Sequence, residues 1–348
     1  MRRCLIVSGA EPSATGAPDW RRFRMLAEHY RLSGLEVTAL ILRADPAGAT
    51  AAAHLRASAD RSAFASPDQA GAATRALDLR HNFDVIHVAA AHAPADICAG
   101  LGGVRLLDLP GNLTSVEALS GWRPHTDLYV GFEHADIGLC HEAGLDVVAA
   151  PYLRRAHRLS RSRITGTRLL AGLWVEAAPR AIAACRAFFD HVRDRGGGFA
   201  PNFIVAGPGA TEIALPQLPF PIACLGPETA ERAFYRGIDI AVCPDLGGAA
   251  PRYDVMTALE LGATPIVSSS ALTGVRSLWR LPHFEEMYGL AEYLFERGRD
   301  MREAGLMAEL RARADWTWSS LSGAAADQRT ALMASVKSKI QAIPEMSE

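Results

Sequence analysis

Residues 237–275 of this chain read GIDIAVCPDLGGAAPRYDVMTALELGATPIVSSSALTGV. An apolar strand ends in a Gly-rich loop, and a helix and a second apolar strand with its own small-residue loop follow, which is the pattern of one βαβ unit. Parallel strands joined by a helix leave backbone N–H groups and a helix N-terminus at the carboxyl ends of the strands, where phosphorylated ligands bind. The segment therefore predicts a pocket for a phosphate or a nucleotide.

The same segment resembles the nucleotide-sugar pocket of GT-B glycosyltransferases of family four (glycosyl transferases group 1). The positions that fit the family pattern are Ile238, Asp239, Pro244, Gly248, Leu259, Gly262, Pro265, Val267, Gly274 and Val275. Residues 168–192, 202–209 and 310–321 also look like the first strand and helix, the next strand and Gly loop, and the closing helix of that domain. About two thirds of the chain resembles the family in its sequence motifs, and the N-terminal third resembles it only in its pattern of strands and helices. It implies an α/β protein of two Rossmann-like, doubly wound parallel-sheet domains facing a central cleft.

One departure from the family concerns its pair of acidic residues, spaced E-x7-E, which brackets the donor. Ala249 and Thr257 stand at these two positions, so both carboxylates are missing. The nearest acids are Asp254 and Glu260. A threonine hydroxyl can bond a ribose, but it supplies no charge-assisted hydrogen bond. The resemblance therefore supports the fold more firmly than the catalysis.

Length and composition predict a two-domain protein. The 348 residues suit two domains of about 150–200 residues each, and the hydrophobic fraction of 49% excludes a disordered chain. No apolar run approaches the roughly 20 residues that span a bilayer. The first apolar run ends after about four residues, shorter than the apolar core of a signal peptide, so we expect a cytoplasmic protein. The net charge of −2 gives no general attraction to nucleic acid.

The strand and helix pattern gives the expected domain boundaries. We predict an acceptor-binding domain at 1–153, a linker at 154–167, a donor-binding domain at 168–320, and a helical tail at 321–348 that crosses back to the first domain. In the first domain we predict a helix at 19–34, one or two helices within 46–80, and strands at 4–9, 36–42, 83–92, 104–111, 135–140 and 145–150. Residues 292–338 are expected to be helical throughout.

Two further compositional features predict local properties. Six cysteines without a CxxC pair, most of them in apolar runs, indicate buried free thiols rather than a zinc site. Basic residues crowd the segment 154–168. This segment predicts a solvated linker, with a contact to lipid headgroups or to a charged acceptor as the alternative.

The resemblance implies a donor pocket that needs no metal and no cofactor beyond the nucleotide-sugar co-substrate, because positive side chains and helix N-termini stabilise the leaving diphosphate. Arg180, which begins a helix after the GLWVEA turn, is the expected catalytic grip on the diphosphate. Arg252 stands where the family carries a lysine, and its guanidinium could fork onto phosphate oxygens. A surface arginine is the structural alternative for both. The expected donor-binding residues are Gly9, Gly16, Gly172, Gly207, Gly209, Gly247, Gly248, Arg252, Thr257 and Glu260.

The acceptor is expected on the first domain and is a glycan, a lipid-linked sugar or a protein. His92 follows the strand DVIHVAA and is the expected catalytic base or sugar ligand, with a structural histidine as the alternative. His87, on the same strand, is the weaker candidate. The expected acceptor-binding residues are Arg21, Asp108, Glu133 and His134.

Several functions remain open on these residues. A glycosyltransferase that moves a sugar from a nucleotide diphosphate, with retention as the family implies, is the leading interpretation. A degenerate GT-B protein that binds a nucleotide sugar or a protein partner without turnover is the second. A nicotinamide-dependent enzyme is disfavoured, because no GxGxxG motif follows the first strand and no acidic residue ends the second. A sugar-nucleotide epimerase would need acid and base carboxylates that have no clear candidates here.

Overall fold

The computed structural model describes most of the chain as two compact units. The described residues are 2–9, 18–43, 55–89, 93–109, 113, 115–132, 134–150, 153, 158–159, 169–177, 179–194, 202–213, 222–226, 229–244, 252–272, 276–302 and 304–342. Unit 1 contains the described residues of 1–155 and 323–348, and unit 2 contains those of 156–322.

Unit 1 is built on a parallel sheet of seven strands. The strands are β1 (Arg3–Ser8), β2 (Glu36–Leu42), β3 (Arg61–Ala65), β4 (Val85–Ala89), β5 (Val104–Asp108), β6 (Leu128–Gly131) and β7 (Val147–Ala149). Their order across the sheet is β3-β2-β1-β4-β5-β6-β7. Because the order reverses between β1 and β4, the sheet is doubly wound and has its topological switch point there. Most of its central strands are continuous buried apolar runs, as expected of a sheet covered on both faces.

Helices cover both faces of the unit 1 sheet. They include α1 (Pro18–Leu32), α2 (Ala70–His81) and α3 (His134–Glu142). On α1, Trp20, Phe23, Leu26 and Tyr30 recur at helical spacing and are buried against one face. The rings of Trp20 and Phe23 stack with their centroids 4.9 Å apart. α2 and α3 pack against the opposite face, for example through Cys140.

Unit 2 is built on a parallel sheet of six strands. The strands are β8 (Leu170–Trp174), β9 (Asn202–Ala206), β10 (Ile222–Cys224), β11 (Ile240–Cys243), β12 (Thr264–Ser268) and β13 (His283–Phe284). They lie in the order β10-β9-β8-β11-β12-β13, so the switch point is between β8 and β11. The helices are α4 (Pro179–Asp194), α5 (Glu231–Gly237), α6 (Tyr253–Glu260) and α7 (Met287–Arg302). The βαβ unit predicted from 237–275 is confirmed as β11, α6 and β12.

Aromatic packing holds α4 on the unit 2 sheet. Phe188 and Phe189 on α4 are fully buried and meet Phe203 of β9 edge to face, with each ring centroid 5.8 Å from that of Phe203. Such pairs add about 0.5–1.5 kcal/mol to the burial of their surface. These contacts fix the position of α4, and therefore of its N-terminus, relative to the strands.

The last helix, α8 (Ala304–Ala342), contributes to the cores of both units. Met307 and Leu310 lie in the core of unit 2, and Leu332 and Val336 lie in the core of unit 1. The prediction of helix over 292–338 is confirmed for the described residues, which belong to α7 and α8.

The α/β fold with two parallel sheets is confirmed, but two local predictions were wrong. Residues 135–140 form part of helix α3 rather than a strand, and the strand next to β5 is instead β6, whose four residues are all buried. Short apolar runs fit either state, and tertiary packing decides between them. Within 46–80, where one or two helices with a mobile connection are predicted, the structure has the helix α2 and also the strand β3, which was not predicted.

The cysteine prediction is confirmed for five thiols and wrong for the sixth. All six cysteines are free, and only Cys224 is exposed. Burial raises the pKa of Cys98 and of Cys185 to about 12, which keeps both thiols protonated at neutral pH. Within the described part of the chain, every helix is too short or too polar to cross a membrane.

Candidate functional site

Two loops at the carboxyl end of the unit 2 sheet are locked to each other by backbone hydrogen bonds. Val175, which follows β8, donates its N–H to the Ala206 carbonyl (2.8 Å) and accepts from the Gly209 N–H (3.0 Å). Gly207 has a φ of +111°, and a Cβ there would lie 2.5 Å from the Val175 carbonyl oxygen. A Cβ on Gly209 would lie 2.4 Å from the Glu176 carbonyl oxygen. Only glycine fits either position, so close backbone packing explains both residues, and their contact with a donor stays a prediction.

Arg180 lies at the N-terminus of α4, directly after these loops. It is the second residue of a 16-residue helix, follows Pro179 and is exposed. The first N–H groups of a helix have no partner within the helix, and the helix dipole places partial positive charge at this end. Because β8 borders the switch point, the N-terminus of α4 lies at the edge of the sheet where anionic ligands bind in doubly wound folds.

Arg252 joins the carboxyl end of β11 to the first turn of α6. Its Nη1 donates to the Pro244 carbonyl (2.8 Å), while Nε and Nη2 donate to the two carboxylate oxygens of Asp254 (2.8 and 2.6 Å). Burial lowers the pKa of Arg252, but the neighbouring Asp254 carboxylate outweighs burial, so the pKa lies above its ordinary value. Two of the guanidinium N–H groups that were expected to face a phosphate therefore bond Asp254 in this structure.

Three of the expected donor residues are explained by internal packing. The Thr257 hydroxyl donates to the Tyr253 carbonyl one turn earlier (2.7 Å) and is buried. Glu260 is the last residue of α6, at the opposite end from the switch point, and accepts from Arg232 Nη1 (3.0 Å). Gly172 lies within β8, where a Cβ would be 2.6 Å from Cζ of Phe234. A donor role for Glu260 and Gly172 conflicts with these positions, because a ligand lies beyond the carboxyl ends of the strands.

Unit 1 contains a buried polar network between α1 and the sheet. Arg22 donates from Nε and Nη2 to the two carboxylate oxygens of Asp108 (2.9 and 2.8 Å) and from Nη1 to the Ala150 carbonyl (2.8 Å). Asp108 is the last residue of β5 and also bonds Nε2 of His87 (2.8 Å). Nδ1 of His87 bonds the Tyr30 hydroxyl (2.8 Å). Four side chains, two from α1 and two from adjacent strands, therefore form one connected chain.

The protonation pattern of this network follows from its partners. Burial raises the pKa of Asp108, but Arg22 and His87 outweigh it and hold the pKa well below its usual range. An ionised carboxylate only accepts hydrogen bonds, so Nε2 of a neutral His87 carries the proton and Nδ1 accepts from Tyr30. Burial, and then the neighbouring Cys4 and Asp108, raise the pKa of Tyr30 well above its ordinary value, which keeps the hydroxyl a donor.

Arg22 organises this network, a role that the sequence interpretation did not assign to it; it noted Arg22 only as following the loop between Gly9 and Gly16. The signal is present in the spacing, because Arg22, Leu26 and Tyr30 recur every four residues and lie on the buried face of α1. A basic residue inside an apolar stripe needs a buried acid, and Asp108 at the end of an apolar strand supplies it. The Arg22 guanidinium also lies over the Phe132 ring, with Cζ 4.4 Å from the ring centroid.

The remaining predicted residues of unit 1 fall in three groups. Gly9 is exposed directly after β1, and Arg21 is half-buried on α1. His134 is described only as the first residue of α3. Of the predicted unit 1 residues, three lie outside the described residues: Gly16, His92 and Glu133. The same holds for Gly247 and Gly248 of unit 2.

The basic segment 154–168 is described only at 158 and 159. The Arg158 side chain is buried and bonds Oδ1 of Asp315 (2.5 Å) and the Leu259 carbonyl. Burial lowers the pKa of Arg158, and the Asp315 carboxylate offsets part of that effect. The expectation of a solvated linker is therefore wrong at Arg158, which ties its segment to α6 and α8. The described residues contain no group of three or more His, Cys, Asp or Glu side chains arranged to hold a metal ion.

The fold is shared with solved glycosyltransferases. HepE from Anabaena, solved in complex with UDP and glucose, matches with a TM-score of 0.69 at 12% identity, over 97% of this chain and 100% of that one. The chain has the GT-B fold. A UDP-forming α,α-trehalose-phosphate synthase from Burkholderia xenovorans, in complex with glucose-6-phosphate, gives a TM-score of 0.64 at 13% identity, with 96% and 100% covered. A glycosyltransferase from Rickettsia africae gives 0.60 at 10%, with 94% and 98% covered.

The GT-B fold is supported by structure alone. No protein-family model and no curated protein matches the sequence. Identities of 10–14% show the fold and leave the activity to the site residues. Both Rossmann-like units of the GT-B fold are present, each with a parallel sheet and a switch point.

Proposed function

We propose that this chain is a glycosyltransferase that moves a sugar from a nucleotide-diphosphate sugar to an acceptor. The observation that carries the proposal is the GT-B fold shared with HepE, solved with UDP and glucose, over 97% of the chain. A UDP-sugar is accordingly the donor that we propose first. The donor binds unit 2, and the acceptor, a glycan, a lipid-linked sugar or a protein, binds unit 1.

The local geometry of unit 2 supports a diphosphate at the N-terminus of α4. The turn around Gly207 and Gly209 packs against the loop that leads into α4 and leaves no room for mobile side chains between them. Arg180 adds a full positive charge to the partial charge of the helix end. We propose that Arg180 holds the leaving diphosphate and that the reaction needs no metal.

A thermal-shift screen with UDP, GDP, CDP, ADP and dTDP and their sugars tests this proposal. A ligand at about 100 times its Kd adds roughly 2.7 kcal/mol of stability, so one nucleotide should raise Tm well above the others. Binding that persists in EDTA supports metal independence. A flat response to every nucleotide would contradict a donor pocket.

Arg180→Ala tests the proposed grip on the diphosphate. Loss of a charged hydrogen bond costs about 1–3 kcal/mol, so the Kd for UDP should rise roughly 5- to 150-fold. Arg193→Ala is the matched control, because Arg193 lies at the other end of α4 and pairs with Asp190 and Asp194. Equal Kd values for the two variants would remove Arg180 from the site.

A non-catalytic nucleotide-sugar binder is the second candidate, and one observation favours it. Where the family-four pattern places its second carboxylate, Thr257 directs its hydroxyl to the Tyr253 carbonyl, and the nearby Arg252 is closed on Asp254. Release of UDP from UDP-glucose, with and without a panel of acceptors, separates the candidates. Turnover above the rate without protein supports the transferase, and retention of configuration in the product supports the family-four relationship. UDP binding without any turnover supports the binder.

We also propose that the protein acts in the cytoplasm and touches membranes peripherally through the basic segment 154–168. Arg158 is committed to Asp315, so the other basic residues of the segment would carry this contact. Each basic residue near an anionic bilayer contributes about 1 kcal/mol. Cosedimentation with phosphatidylserine vesicles that disappears in high salt supports the contact, and equal sedimentation with neutral vesicles refutes it.

A further inference from the structure

A groove at the edge of the unit 2 sheet is lined by aromatic and basic side chains. Its volume is about 560 Å³, within the range of roughly 300–1,000 Å³ that is typical of ligand pockets. The residues that line it are Trp279, Arg280, Leu281, Pro282, His283, Phe284, Tyr293 and Arg313. They come from β13 and the turn before it, from α7 and from α8. None of them belongs to the proposed donor site.

Aromatic side chains supply much of the lining of the groove. The Trp279 side chain is 54% exposed, and its ring meets that of His283 edge to face, with centroids 5.3 Å apart. The rings of Phe284 and Tyr293 also pack together, with their centroids 5.0 Å apart. An open tryptophan face next to a concave apolar surface suits the apolar C–H face of a sugar ring, which loses contact with water when it stacks there.

The charge of the groove is positive. Cζ of Arg280 lies over the Trp316 ring, 3.9 Å from the ring centroid, and Arg280 forms no ion pair with any carboxylate of the described residues. The lining contains a second arginine, Arg313, and no carboxylate, although Arg313 also bonds Glu309 outside the groove (2.5 Å). Contact with an aromatic ring restrains the guanidinium, so less side-chain freedom is lost when its N–H groups bind the oxygens of an anion.

His283 adds a polar group of defined orientation. Its Nδ1 lies 2.9 Å from the Leu281 carbonyl oxygen, which can only accept a hydrogen bond. The Nδ1 proton is therefore fixed, and Nε2 of the neutral ring remains available to accept from a hydroxyl group.

We propose that this groove binds an acidic saccharide, a sugar ring that carries a carboxylate or a phosphate. Trp279 stacks on the ring, Arg280 binds the anionic group, and His283 bonds a hydroxyl. A membrane surface fits less well, because the site is concave and has two arginines where polybasic lipid-binding segments carry about four to eight basic residues. The proposal does not depend on the donor site or on turnover.

Ligand-observed NMR titrations of the full chain test the proposal. The probes are D-glucuronate and D-glucose 6-phosphate as acidic sugars, D-glucose as the neutral sugar, and inorganic phosphate as the anion without a sugar ring. We expect both acidic sugars to bind at least tenfold more tightly than glucose or phosphate. Arg280→Gln and Trp279→Ala should each raise the Kd for glucuronate at least tenfold, while Arg193→Gln and Tyr288→Ala, outside the groove, leave it unchanged.

Each alternative result overturns the proposal in a distinct way. Phosphate that binds as tightly as the acidic sugars shows a simple anion site, and glucose that binds as tightly as glucuronate removes the role of charge. An unchanged Kd in Arg280→Gln, whose side chain is exposed and does not support the core, also overturns it. Arg180→Ala separates the two proposals, because it should weaken UDP binding and leave glucuronate binding unaffected.

Discussion

Replacing Asp108 by asparagine removes the carboxylate that pairs with Arg22 in the buried network of unit 1 while keeping the shape of the side chain. The carboxylate accepts hydrogen bonds from Nε and Nη2 of Arg22 and from Nε2 of His87. The side chains of Arg22 and Asp108 are 6% and 7% exposed, so water screens the pair very little. The variant removes the charge of Asp108 from this two-point pair, while the Arg22 guanidinium stays buried.

The expected loss of stability follows from that burial. Removing one partner of a buried ion pair costs about 3–5 kcal/mol, because the remaining charge stays out of water. Asp127→Asn is the matched control, since Asp127 bonds Nε and Nη2 of Arg105 in the same two-point geometry (2.9 and 2.7 Å). That pair is 22% and 30% exposed, so we expect a loss of only about 1 kcal/mol.

The difference between wild type and Asp108→Asn should depend on pH. Asp108 has a pKa below its ordinary value in the folded state, so its stabilisation is present above the ordinary carboxyl pKa of about 4. It is lost as the pH falls from there towards the lower folded-state pKa. The stability difference should therefore be constant between pH 5 and 7 and shrink below about pH 4.

Amide hydrogen exchange across a urea titration measures this effect in unit 1 alone. Peptides covering β4 and β5 report the free energy of opening around His87 and Asp108. Arg22→Met combined with Asp108→Leu removes both charges and should recover part of the loss. Equal losses in the Asp108 and Asp127 variants, or a difference that does not change down to pH 3, would refute the reasoning.

Two further substitutions, each compared with a control variant, test single contacts. Gly207→Ala should destabilise unit 2 by more than about 1 kcal/mol, because φ is +111° and the new Cβ would lie 2.5 Å from the Val175 carbonyl oxygen. Gly237→Ala is the control, because a Cβ there meets nothing within 4 Å, and it should be neutral or stabilise by up to about 1 kcal/mol. Urea denaturation of both variants measures the difference. A loss of the same size in both would contradict the packing argument. Tyr30→Phe should cost about 1–3 kcal/mol, because Nδ1 of His87 loses its buried donor. Tyr288→Phe is the control at an exposed site and should cost less than about 0.5 kcal/mol. Equal losses for the two tyrosine variants in urea denaturation would contradict the buried hydrogen bond to His87.

The parallel sheets could be predicted from sequence because their strands are continuous apolar runs. EVTALIL matches β2 residue for residue, and β11, α6 and β12 follow the pattern of 237–275. The strand β6 was missed because four apolar residues and the nearby ADIGLC run look alike locally. What decides between them is the position of Asp136, which is buried on α3 and bonds the Leu113 N–H (3.0 Å), a contact between distant segments.

The site was less predictable because the role of a polar side chain depends on its partner. Arg252 was identified from its place in the pattern, but its Nε and Nη2 groups donate to Asp254, two residues later. Glu260 was chosen as a nearby acid, yet the eight residues of α6 carry it about 10 Å along the helix axis from the ligand edge. His87 and Asp108 were judged separately, and only the fold shows that Nε2 of His87 bonds Asp108 and that Asp108 also pairs with Arg22.

The two ion pairs have a common consequence for the proposed chemistry. The pair of Arg22 with Asp108 links α1 to the carboxyl end of β5. Arg252, which pairs with Asp254 at the start of α6, reaches the carboxyl end of β11 through the Pro244 carbonyl. Both pairs lie at the edge where a ligand of the GT-B fold would bind. In both pairs the positive charge of the arginine is already neutralised by a carboxylate of the protein. Such an arginine can orient a bound diphosphate, but it adds little net electrostatic attraction. Of the two arginines proposed at the donor site, Arg180 is exposed at a helix N-terminus and Arg252 is not. If the chain binds a nucleotide diphosphate, we therefore expect little of the electrostatic part of that affinity to come from Arg252, whose charge is paired with Asp254.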